Sequence, residues 1–288
     1  MWTKCRTNRL VYLNDQCTTT CPHCKKYCEQ LYCCTANNTG QELSVEEINR
    51  IFKQIQYSSI GKVNILGGNI FQYQHLTELN LLFDSFREII HCYFHYENYK
   101  ANVLPDFLKL ELIVNFPLKN TVFENIWNLI NKEKTTVHFF IENEKQYAMV
   151  ENLTDNFGIE KYNIKPFFNG RNMNFFRDNI FLSKDDIFSK TLSIREIFRN
   201  QKLNSNFFGS LFILPAGSVK TNMNSQSIGN IKADRLLNLI YREMIENTAW
   251  RKVRDVNPCK SCLYQWLCPP PSNYELVTGK PNLCHVKP

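Results

Sequence analysis

Short apolar segments alternate with amphipathic segments between about residue 10 and residue 170 of this chain. The apolar segments have the length of strands, and the segments between them mostly have the period of amphipathic helices. The predicted strands span residues 10–15, 62–66, 92–96, 109–116, 135–142 and 161–168. Repeated strand–helix units predict an α/β fold with a parallel sheet, and six units predict a partial barrel whose chemistry lies at the carboxyl ends of the strands.

The helix after the first predicted strand has the clearest sequence pattern. Ser44 and Glu47 have the spacing of a capping box. The apolar residues that follow fall on one helical face, and they are Ile48, Ile51, Phe52 and Ile55. The same period recurs within residues 76–90 and 122–130, so helices are predicted there as well.

The strand–helix rhythm stops after Asn169, and the chain divides into three predicted regions. Residues 1–170 form the partial barrel, and residues 171–208 form a connector with one or two helices, one capped by Ser193 and Glu196. Residues 209–288 begin with a hairpin, because segments 211–214 and 219–223 flank a Pro-Ala-Gly turn. An amphipathic helix at 234–253 then leads into the last cysteines.

Seven of the twelve cysteines fall into two sets with the spacing of iron–sulfur ligands. The first set is Cys17, Cys21 and Cys24, directly after the first predicted strand, and the second is Cys259, Cys262, Cys268 and Cys284. Three thiolates leave one iron of a four-iron cluster open to an outside ligand, whereas four thiolates close the cluster. The spacing therefore predicts one open and one closed [4Fe-4S] cluster.

Zinc is the alternative at these cysteines, since thiolates also hold Zn²⁺ in tetrahedral sites. Cys21 and Cys24 could join Cys259 and Cys262 in one site that bridges the two ends of the chain, although the other three cysteines would then have no role. The four C-terminal cysteines could also form a structural zinc knuckle by themselves.

The remaining cysteines and most histidines are interpreted as structural residues. Cys5, Cys28, Cys33, Cys34 and Cys92 are predicted to be small buried hydrophobic residues. His91, His95 and His138 lie in or beside the third and fifth predicted strands, where core or lining positions are expected.

Composition limits the compartment and the partners. No signal peptide and no apolar run of membrane-spanning length is present, so we expect a cytoplasmic protein with no membrane partner and reduced thiols. The formal net charge of +7 is scattered along the chain without a basic run, so no nucleic-acid partner is predicted.

The three-cysteine loop after a first strand, the six strand–helix units and the terminal cysteine module together resemble a radical SAM enzyme with a SPASM domain. A narrower resemblance is to the pseudo-radical-SAM SPASM proteins of Bacteroidales GG-type peptide-modification systems. The residues that carry it are LYCCT at 31–35, ILGGNIF at 65–71, KPFFNG at 165–170, YQWLCPPPSNYE at 264–275 and GKPNLCH at 279–285. The resemblance implies a radical SAM partial barrel followed by a small SPASM-like iron–sulfur module.

The resemblance also implies a binding site for S-adenosylmethionine. Cys17, Cys21 and Cys24 would hold the open cluster, to which the cofactor binds. The family places Gly-Gly-Glu at the end of the second strand, where the carboxylate accepts a hydrogen bond from the cofactor's ammonium group. This chain has Gly67, Gly68 and Asn69 there. An amide in place of a carboxylate is expected to cost about 1 kcal/mol, or roughly fivefold in affinity.

A complete SPASM domain holds two auxiliary clusters with seven cysteines. Cys259, Cys262, Cys268 and Cys284 match the ligand set of the second auxiliary cluster. Ligand positions of the first are occupied by Asn222 and Ser272, and no cysteine precedes the hairpin. The chain is therefore predicted to keep one auxiliary cluster, or zinc at the same cysteines.

The function implied by the resemblance is radical modification of a ribosomally made precursor peptide. Only sixteen residues precede Cys17, so the expectation is either that the chain is truncated or that a separate leader-binding protein brings the peptide. A reducing electron donor is also expected. The alternative is a catalytically silent scaffold or partner protein that keeps the fold and one cluster or zinc site.

Overall fold

The computed structural model describes residues 7–17, 30, 39–56 and 60–286. Within these residues, the strands form one sheet with the order β6-β5-β4-β3-β2-β1-β7-β8-β9. The strands are β1 (Thr7–Tyr12), β2 (Ile60–Leu66), β3 (Ile90–His95), β4 (Lys109–Asn115), β5 (Thr135–Ile141), β6 (Tyr162–Pro166), β7 (Leu211–Ile213), β8 (Ser218–Lys220) and β9 (Gly229–Asn230).

The helices of the described residues mostly follow the strands in alternation. They are α1 (Val45–Ile55), α2 (Leu76–Asp84), α3 (Asn120–Leu129), α4 (Glu144–Phe157), α5 (Met173–Asn179), α6 (Lys184–Phe188), α7 (Ile194–Lys202), α8 (Leu236–Glu246) and α9 (Asn273–Thr278). Short 3-10 turns are Ile70–Gln72, Tyr96–Asn98, Lys132–Lys134 and Cys259–Ser261. No helix in the described part of the chain has the length and apolar character needed to cross a membrane.

The six strands predicted from the sequence are confirmed, and β1 to β6 are parallel neighbours in chain order. The largest difference is at β1, which was predicted at 10–15 and ends at Tyr12. Beyond it the backbone also bonds to a second segment: Asn14 forms a bridge with Glu42, and the Asp15 amide donates to the Gln41 carbonyl. Polar residues at the end of β1 therefore hold a neighbouring loop instead of extending the strand.

The predicted hairpin around Gly217 is present, since β7 and β8 pair antiparallel and Gly217 has a positive φ of 81°. β7 also pairs with β1, in parallel, and this pairing was not predicted from the sequence. Phe212 of β7 packs against Leu10 and Tyr12 of β1, so an apolar cluster covers this junction. The C-terminal region thus continues the sheet of the first six strands, and the division into three regions stays a prediction.

Helices cover one face of the sheet and form the main core. The face of α1 predicted to be apolar is buried, at Ile48, Ile51, Phe52 and Ile55. The predicted capping box is also present, since the Ser44 hydroxyl accepts from the Glu47 amide at 3.2 Å and Glu47 accepts from the Ser44 amide at 2.8 Å. Alternate residues of β1 and β2, such as Val11 and Val63, point into the same core.

The opposite face of the sheet, here called the inner face, carries a mixture of apolar and polar side chains. Its apolar residues form two small clusters, one with Leu10, Tyr12, Leu66, Phe212 and Met223 and one with Ile113, Phe140 and Phe167. Tyr93 of β3 packs against both clusters. The inner face and the carboxyl edge of the strands are where the candidate functional residues lie.

Candidate functional site

The carboxyl ends of β1 and β2 form the first part of the site. Asp15 follows β1 and fixes the loop at residues 39–41: its carboxylate accepts from the Thr39 amide at 3.1 Å, the Thr39 hydroxyl at 2.5 Å and the Gln41 amide at 3.0 Å. Cys17 lies two residues further along and is partly exposed. Cys21 and Cys24 lie outside the described residues.

The two glycines after β2 are in close backbone contact with the segment that leads to Cys17. A Cβ atom added at Gly68 would lie 2.0 Å from the Gln16 carbonyl oxygen and 2.8 Å from the Cys17 nitrogen. A Cβ atom at Gly67 would lie 2.8 Å from Asn14 Oδ1. Only glycine permits this approach without moving the backbone, and the Gly68 amide donates to the Asn14 carbonyl at 3.0 Å.

Asn69 is buried at the same edge, with 5% of its surface exposed. Its Oδ1 accepts from the Phe71 amide at 3.0 Å and so caps the turn Ile70–Gln72. Its carbonyl accepts from Asn14 Nδ2 at 2.9 Å. Gly67, Gly68, Asn69 and Cys17 therefore lie together, while the amide oxygen of Asn69 already orders the turn.

The four C-terminal cysteines line a single cavity. Cys259, Cys262, Cys268 and Cys284 share it with Leu182, Ile187, Arg254, Pro258, Gln265, Asn282, Leu283 and Val286. These cysteines come from four separate positions between residues 259 and 284, so the fold has brought the second predicted set together.

Backbone contacts from the connector hold the cysteine segments in place. The Leu182 amide donates to Leu283 at 3.0 Å and the His285 amide donates to Leu182 at 3.0 Å, which fixes Cys284 between them. Asn200 of α7 is buried, and its Nδ2 donates to the Trp266 carbonyl at 3.1 Å and to the Cys268 carbonyl at 3.4 Å. The connector therefore supports the cavity.

A buried ion pair lies beside this cavity. Arg254 Nη1 and Glu275 Oε1 are 2.7 Å apart, and their side chains are 8% and 5% exposed. The same Nη1 lies 3.8 Å from Cys259 Sγ, and Arg254 Nε donates to the Pro269 carbonyl at 2.5 Å. The Arg254 guanidinium thus contacts Cys259, Glu275 and the backbone at Pro269.

Burial changes the proton affinity of two of these thiols. It raises the pKa of Cys259, although Arg254 acts in the opposite direction, and it raises the pKa of Cys268 to about 11. Cys259 and Cys268 would therefore release their protons on binding a metal.

The fit of a metal at the C-terminal cysteines rests on the chemistry of the donors. Four thiols facing one cavity, with a cationic guanidinium beside them, suit the negative charge of a four-thiolate centre. The four thiols are not arranged as a compact metal site. Among the described residues, no group of three or more His, Cys, Asp or Glu side chains is arranged to hold a metal ion.

Amide side chains hydrogen-bond to each other around Asn222, one of the positions where the resemblance expects a cysteine. Asn222 is 1% exposed, and its Nδ2 donates to Asn273 Oδ1 at 2.7 Å. Asn224 Nδ2 donates to the same oxygen at 3.2 Å. Asn273 follows Ser272, the other such position, so Asn222 bonds to the residue next to it.

Several structural interpretations of the sequence are confirmed. Cys92 is fully buried, and burial raises its pKa to about 12, as expected of a small hydrophobic residue without a chemical role. His91, His95 and His138 line the inner face or the strand ends, where each hydrogen-bonds to a side chain of β4. Cys5, Cys28, Cys33 and Cys34 lie outside the described residues.

Sequence analysis missed Arg254 and Glu275 as supports of the cysteine cavity. The available signals were local: Arg254 precedes Cys259 by five residues, and Ser272 with Glu275 has capping-box spacing, which the structure shows at the start of α9. Neither signal alone indicates a buried ion pair.

No protein-family model and no curated protein matches this chain, whereas solved structures do. SuiB of Streptococcus suis bound to the precursor peptide SuiA aligns with a TM-score of 0.65 and 12% identity, over 98% of this chain and 75% of SuiB. SuiB bound to S-adenosylmethionine aligns with a TM-score of 0.64 and 12% identity, over 98% of this chain and 77% of SuiB. The protein anSMEcpe with bound AdoMet aligns with a TM-score of 0.54 and 11% identity, over 91% of this chain and 87% of that chain.

At this level of identity the likeness establishes the fold. The chain has the α/β fold of radical SAM type that the sequence predicted, with a parallel sheet at its centre.

Proposed function

We propose that this chain is a radical SAM protein of the SPASM type that acts in the modification of a ribosomally made peptide. The observation that carries the proposal is the contact of the Gly67–Gly68 turn with the segment leading to Cys17, at the carboxyl edge of β1 and β2. The contact supports the proposal because Gly68 lies against the backbone of Cys17, the first cysteine of the predicted open cluster. The similar fold of two proteins that bind S-adenosylmethionine supports the same interpretation.

Cys17, Cys21 and Cys24 would hold the first [4Fe-4S] cluster, and Gly67, Gly68 and Asn69 would contact S-adenosylmethionine. When bound, these groups would supply radical chemistry at the substrate, with one electron from the proposed reducing donor. The chain's own contribution is to position and enclose these groups. A carbonyl oxygen of an amide has two lone pairs, so Asn69 Oδ1 can accept from the cofactor's ammonium group while it caps Phe71.

Cys259, Cys262, Cys268 and Cys284 would hold one auxiliary cluster, with zinc as the alternative. The hydrogen bond from Asn222 to Asn273 supports the loss of the other auxiliary cluster, because the amide at this expected ligand position is held by another side chain. Two [4Fe-4S] clusters per chain are therefore proposed.

The proposed substrate is a ribosomal precursor peptide, as SuiB is seen with the precursor peptide SuiA. A separate leader-binding protein and a reducing electron donor are further proposed partners, and the cytoplasm remains the predicted compartment.

A catalytically silent scaffold of pseudo-radical-SAM type is the second candidate. The observation in its favour is the capping role of Asn69, whose Oδ1 is committed to the Phe71 amide at 3.0 Å in place of the family's carboxylate. A scaffold would keep the fold and the C-terminal metal site without cleaving S-adenosylmethionine.

Electron paramagnetic resonance separates these candidates. We would reduce the anaerobically reconstituted protein and record its spectrum with and without S-adenosylmethionine. The enzyme requires that the cofactor change the cluster signal, whereas an unchanged signal supports the scaffold.

The variant Asn69→Asp sharpens this test, because it restores a carboxylate while keeping the capping oxygen. It should bind S-adenosylmethionine about fivefold more tightly than the parent chain. The matched control is Asn143→Asp, which alters the capping residue of α4 away from this edge and should leave the affinity unchanged.

A further inference from the structure

The polar face of α1 and the segment that precedes α8 enclose a cleft of about 920 Å³. From α1 it is lined by residues at helical spacing on one face, which are Glu46, Asn49, Arg50, Lys53 and Gln54. From the other side it is lined by residues 233–235. Among the described residues, no candidate cysteine and no residue of the glycine turn lines this cleft. It is therefore separate from the candidate site described above.

Hydrogen bonds between the two walls fix the shape of the cleft. Arg50 Nη1 donates to the Ile231 carbonyl at 3.1 Å and to the Lys232 carbonyl at 3.2 Å. The Leu236 amide, at the start of α8, donates to Gln54 Oε1 at 2.8 Å. The two walls are thus joined through the backbone, so the fold itself forms the cleft.

The cleft contains positive charge that no carboxylate of the described chain neutralises. Lys53 and Arg235 are exposed and form no ion pair with a described residue. Arg50 bonds to the two backbone carbonyls and to no carboxylate of the described residues. Asp234, by contrast, is paired with Arg242 at 3.3 Å. Three cations therefore remain for an anionic partner.

The helix that follows the cleft has an exposed apolar face. The face contains four large side chains that are 58%, 62%, 42% and 83% exposed, and they are Leu237, Tyr241, Met244 and Ile245. Their spacing places them on one side of α8, while Leu236 and Leu239 are buried in the main core. A contiguous exposed apolar face indicates an interaction surface. It begins two residues after Arg235, so it adjoins the cationic cleft.

The charges and the shape select the kind of partner. A second copy of this chain would bring a further net charge of +7 to the same cations, which disfavours self-association. A lipid surface is flat and cannot enter a cleft. Glu46 also lines the cleft, so a continuous row of phosphates would meet a like charge. An amphipathic helix has separate carboxylates for the cations and an apolar side for α8.

We propose that the cleft and the apolar face of α8 form a docking surface for an acidic amphipathic helix of another protein. The carboxylates of that helix pair with Lys53 and Arg235, and its apolar side covers Tyr241 and Ile245. The assignment of the helix to the proposed leader-binding protein rests on the proposed function. The docking surface itself requires neither a cluster nor S-adenosylmethionine.

Fluorescence anisotropy of a labelled synthetic peptide, titrated with the full chain, tests this surface. The probe is an alanine-based helix with leucine along one side and glutamate along both edges of that side. The comparison peptide has lysine in place of every glutamate. We expect the acidic peptide to bind at least about tenfold more tightly than the basic one, and added salt should weaken its binding.

Two variants test the cleft and the apolar face separately, each with a matched control. Lys53→Glu should weaken binding of the acidic peptide about fivefold, whereas Lys145→Glu, on the exposed side of α4, should not. Ile245→Gln should weaken it about tenfold, whereas Ile194→Gln, at a residue of α7 that is 74% exposed, should not. Circular dichroism identifies any variant that fails to fold, and the other pair then decides the outcome.

The proposal would be overturned if the acidic peptide did not bind, if both peptides bound equally, or if test and control variants behaved alike. Self-association of the chain that Ile245→Gln abolishes, seen by analytical ultracentrifugation, would assign the face to a second copy instead. Binding to phosphatidylglycerol vesicles that the same variant abolishes would assign it to a membrane. A negative peptide titration, with a cofactor response in the resonance experiment above, would reject the docking surface and leave the proposed function standing.

Discussion

Arg254 is the residue on which the C-terminal cavity most depends, because it is the cation between Glu275 and Cys259. A buried charge left without its partner is strongly destabilising. The arrangement also places one positive charge beside the proposed auxiliary cluster, where it would favour the reduced, more negative form.

Replacing Arg254 should therefore affect both stability and redox behaviour. We predict that Arg254→Gln lowers the free energy of unfolding by about 3 kcal/mol and shifts the reduction potential of the C-terminal cluster to a more negative value. Urea unfolding of the metal-loaded chain and a potentiometric titration measure the two effects.

The matched control is Arg199→Gln, because Arg199 pairs with Glu196 at 3.8 Å on the surface. Exposed pairs contribute little, so a change below about 1 kcal/mol is expected. Equal losses of unfolding free energy in the two variants would show that the buried pair stabilises the chain no more than the exposed pair does.

Glu111 gives the chain a predicted dependence of stability on pH. Its pKa is lower in the folded chain than in the unfolded chain, so its contribution is present above the unfolded value near 4.3 and is lost as the pH falls toward the folded value. The pKa of His138 is also lowered, so its contribution is lost below an unfolded value of about 6.5.

Stability should accordingly fall as the pH is lowered from about 6.5 to 4. We predict that Glu111→Gln is less stable than the parent by about 3 kcal/mol at pH 7 and has a weaker dependence on pH below 5. Thermal unfolding across this range measures both effects. The control Glu124→Gln alters an exposed carboxylate of α3 and should follow the parent curve; a Glu111→Gln curve parallel to the parent would contradict the account.

At the scale of single elements, the turn after β2 is the part of the fold most closely tied to the proposed cofactor. Gly68 leaves no room for a side chain, since an added Cβ atom would lie 2.3 Å from the Gln16 carbonyl carbon. The atoms near the added Cβ belong to the backbone of Gln16 and Cys17. The backbone that leads to Cys17 must therefore move if a methyl group is added.

We predict that Gly68→Ala lowers the affinity for S-adenosylmethionine at least tenfold and reduces iron loading at the first cluster. Gly158→Ala is the control. Gly158 ends α4 with a φ of 59° and has no atom within 4 Å of an added Cβ, so it should cost about 1 kcal/mol of stability without loss of iron. Iron analysis and cofactor titration distinguish the two variants, and normal iron and affinity in Gly68→Ala would contradict this role.

The strands and the best capped helices could be predicted from the sequence because their patterns are local. The stripe of Ile48, Ile51, Phe52 and Ile55 and the capping box before it both indicate α1 directly. The pairing of β7 with β1 could not be predicted in this way, because it joins segments about 200 residues apart. The same reason applies to Glu111, whose partners come from three other strands.

The candidate site also has residues that could be predicted from the sequence and residues that could not. Cysteine spacing predicted the four C-terminal residues that share a cavity. Spacing does not reveal Arg254 as their cationic neighbour, nor the hydrogen bond from Asn222 to Asn273, which joins residues 51 positions apart. The resemblance marked Asn222 as a position where a cysteine is expected, and the structure shows that its side chain bonds to Asn273 instead.

At the scale of the whole molecule, the sheet joins the N-terminal and C-terminal regions. β7 covers the edge of β1 that β2 does not pair with, and Phe212 buries Leu10 and Tyr12. Removal of the C-terminal region would expose both an unpaired strand edge and an apolar cluster.

We therefore predict that a chain truncated after residue 208 unfolds at a temperature at least about 6 °C below that of the full chain, or aggregates. The estimate assumes a loss of about 3 kcal/mol or more, since 1 kcal/mol corresponds to about 2–4 °C in a domain of this size. Circular dichroism on heating compares the two chains. An unchanged unfolding temperature would contradict this prediction. It would mean that residues 1–208 fold independently of the C-terminal region.

The measurement that tests the central proposal most directly is the iron, sulfide and zinc content of the anaerobically reconstituted chain and of the variants Cys21→Ala and Cys262→Ala. Two clusters predict about eight irons and eight sulfides in the parent and about four of each in either variant. The cluster that remains in Cys21→Ala should not respond to S-adenosylmethionine. Zinc without sulfide in the parent, or a full iron content in Cys21→Ala, would contradict the proposal.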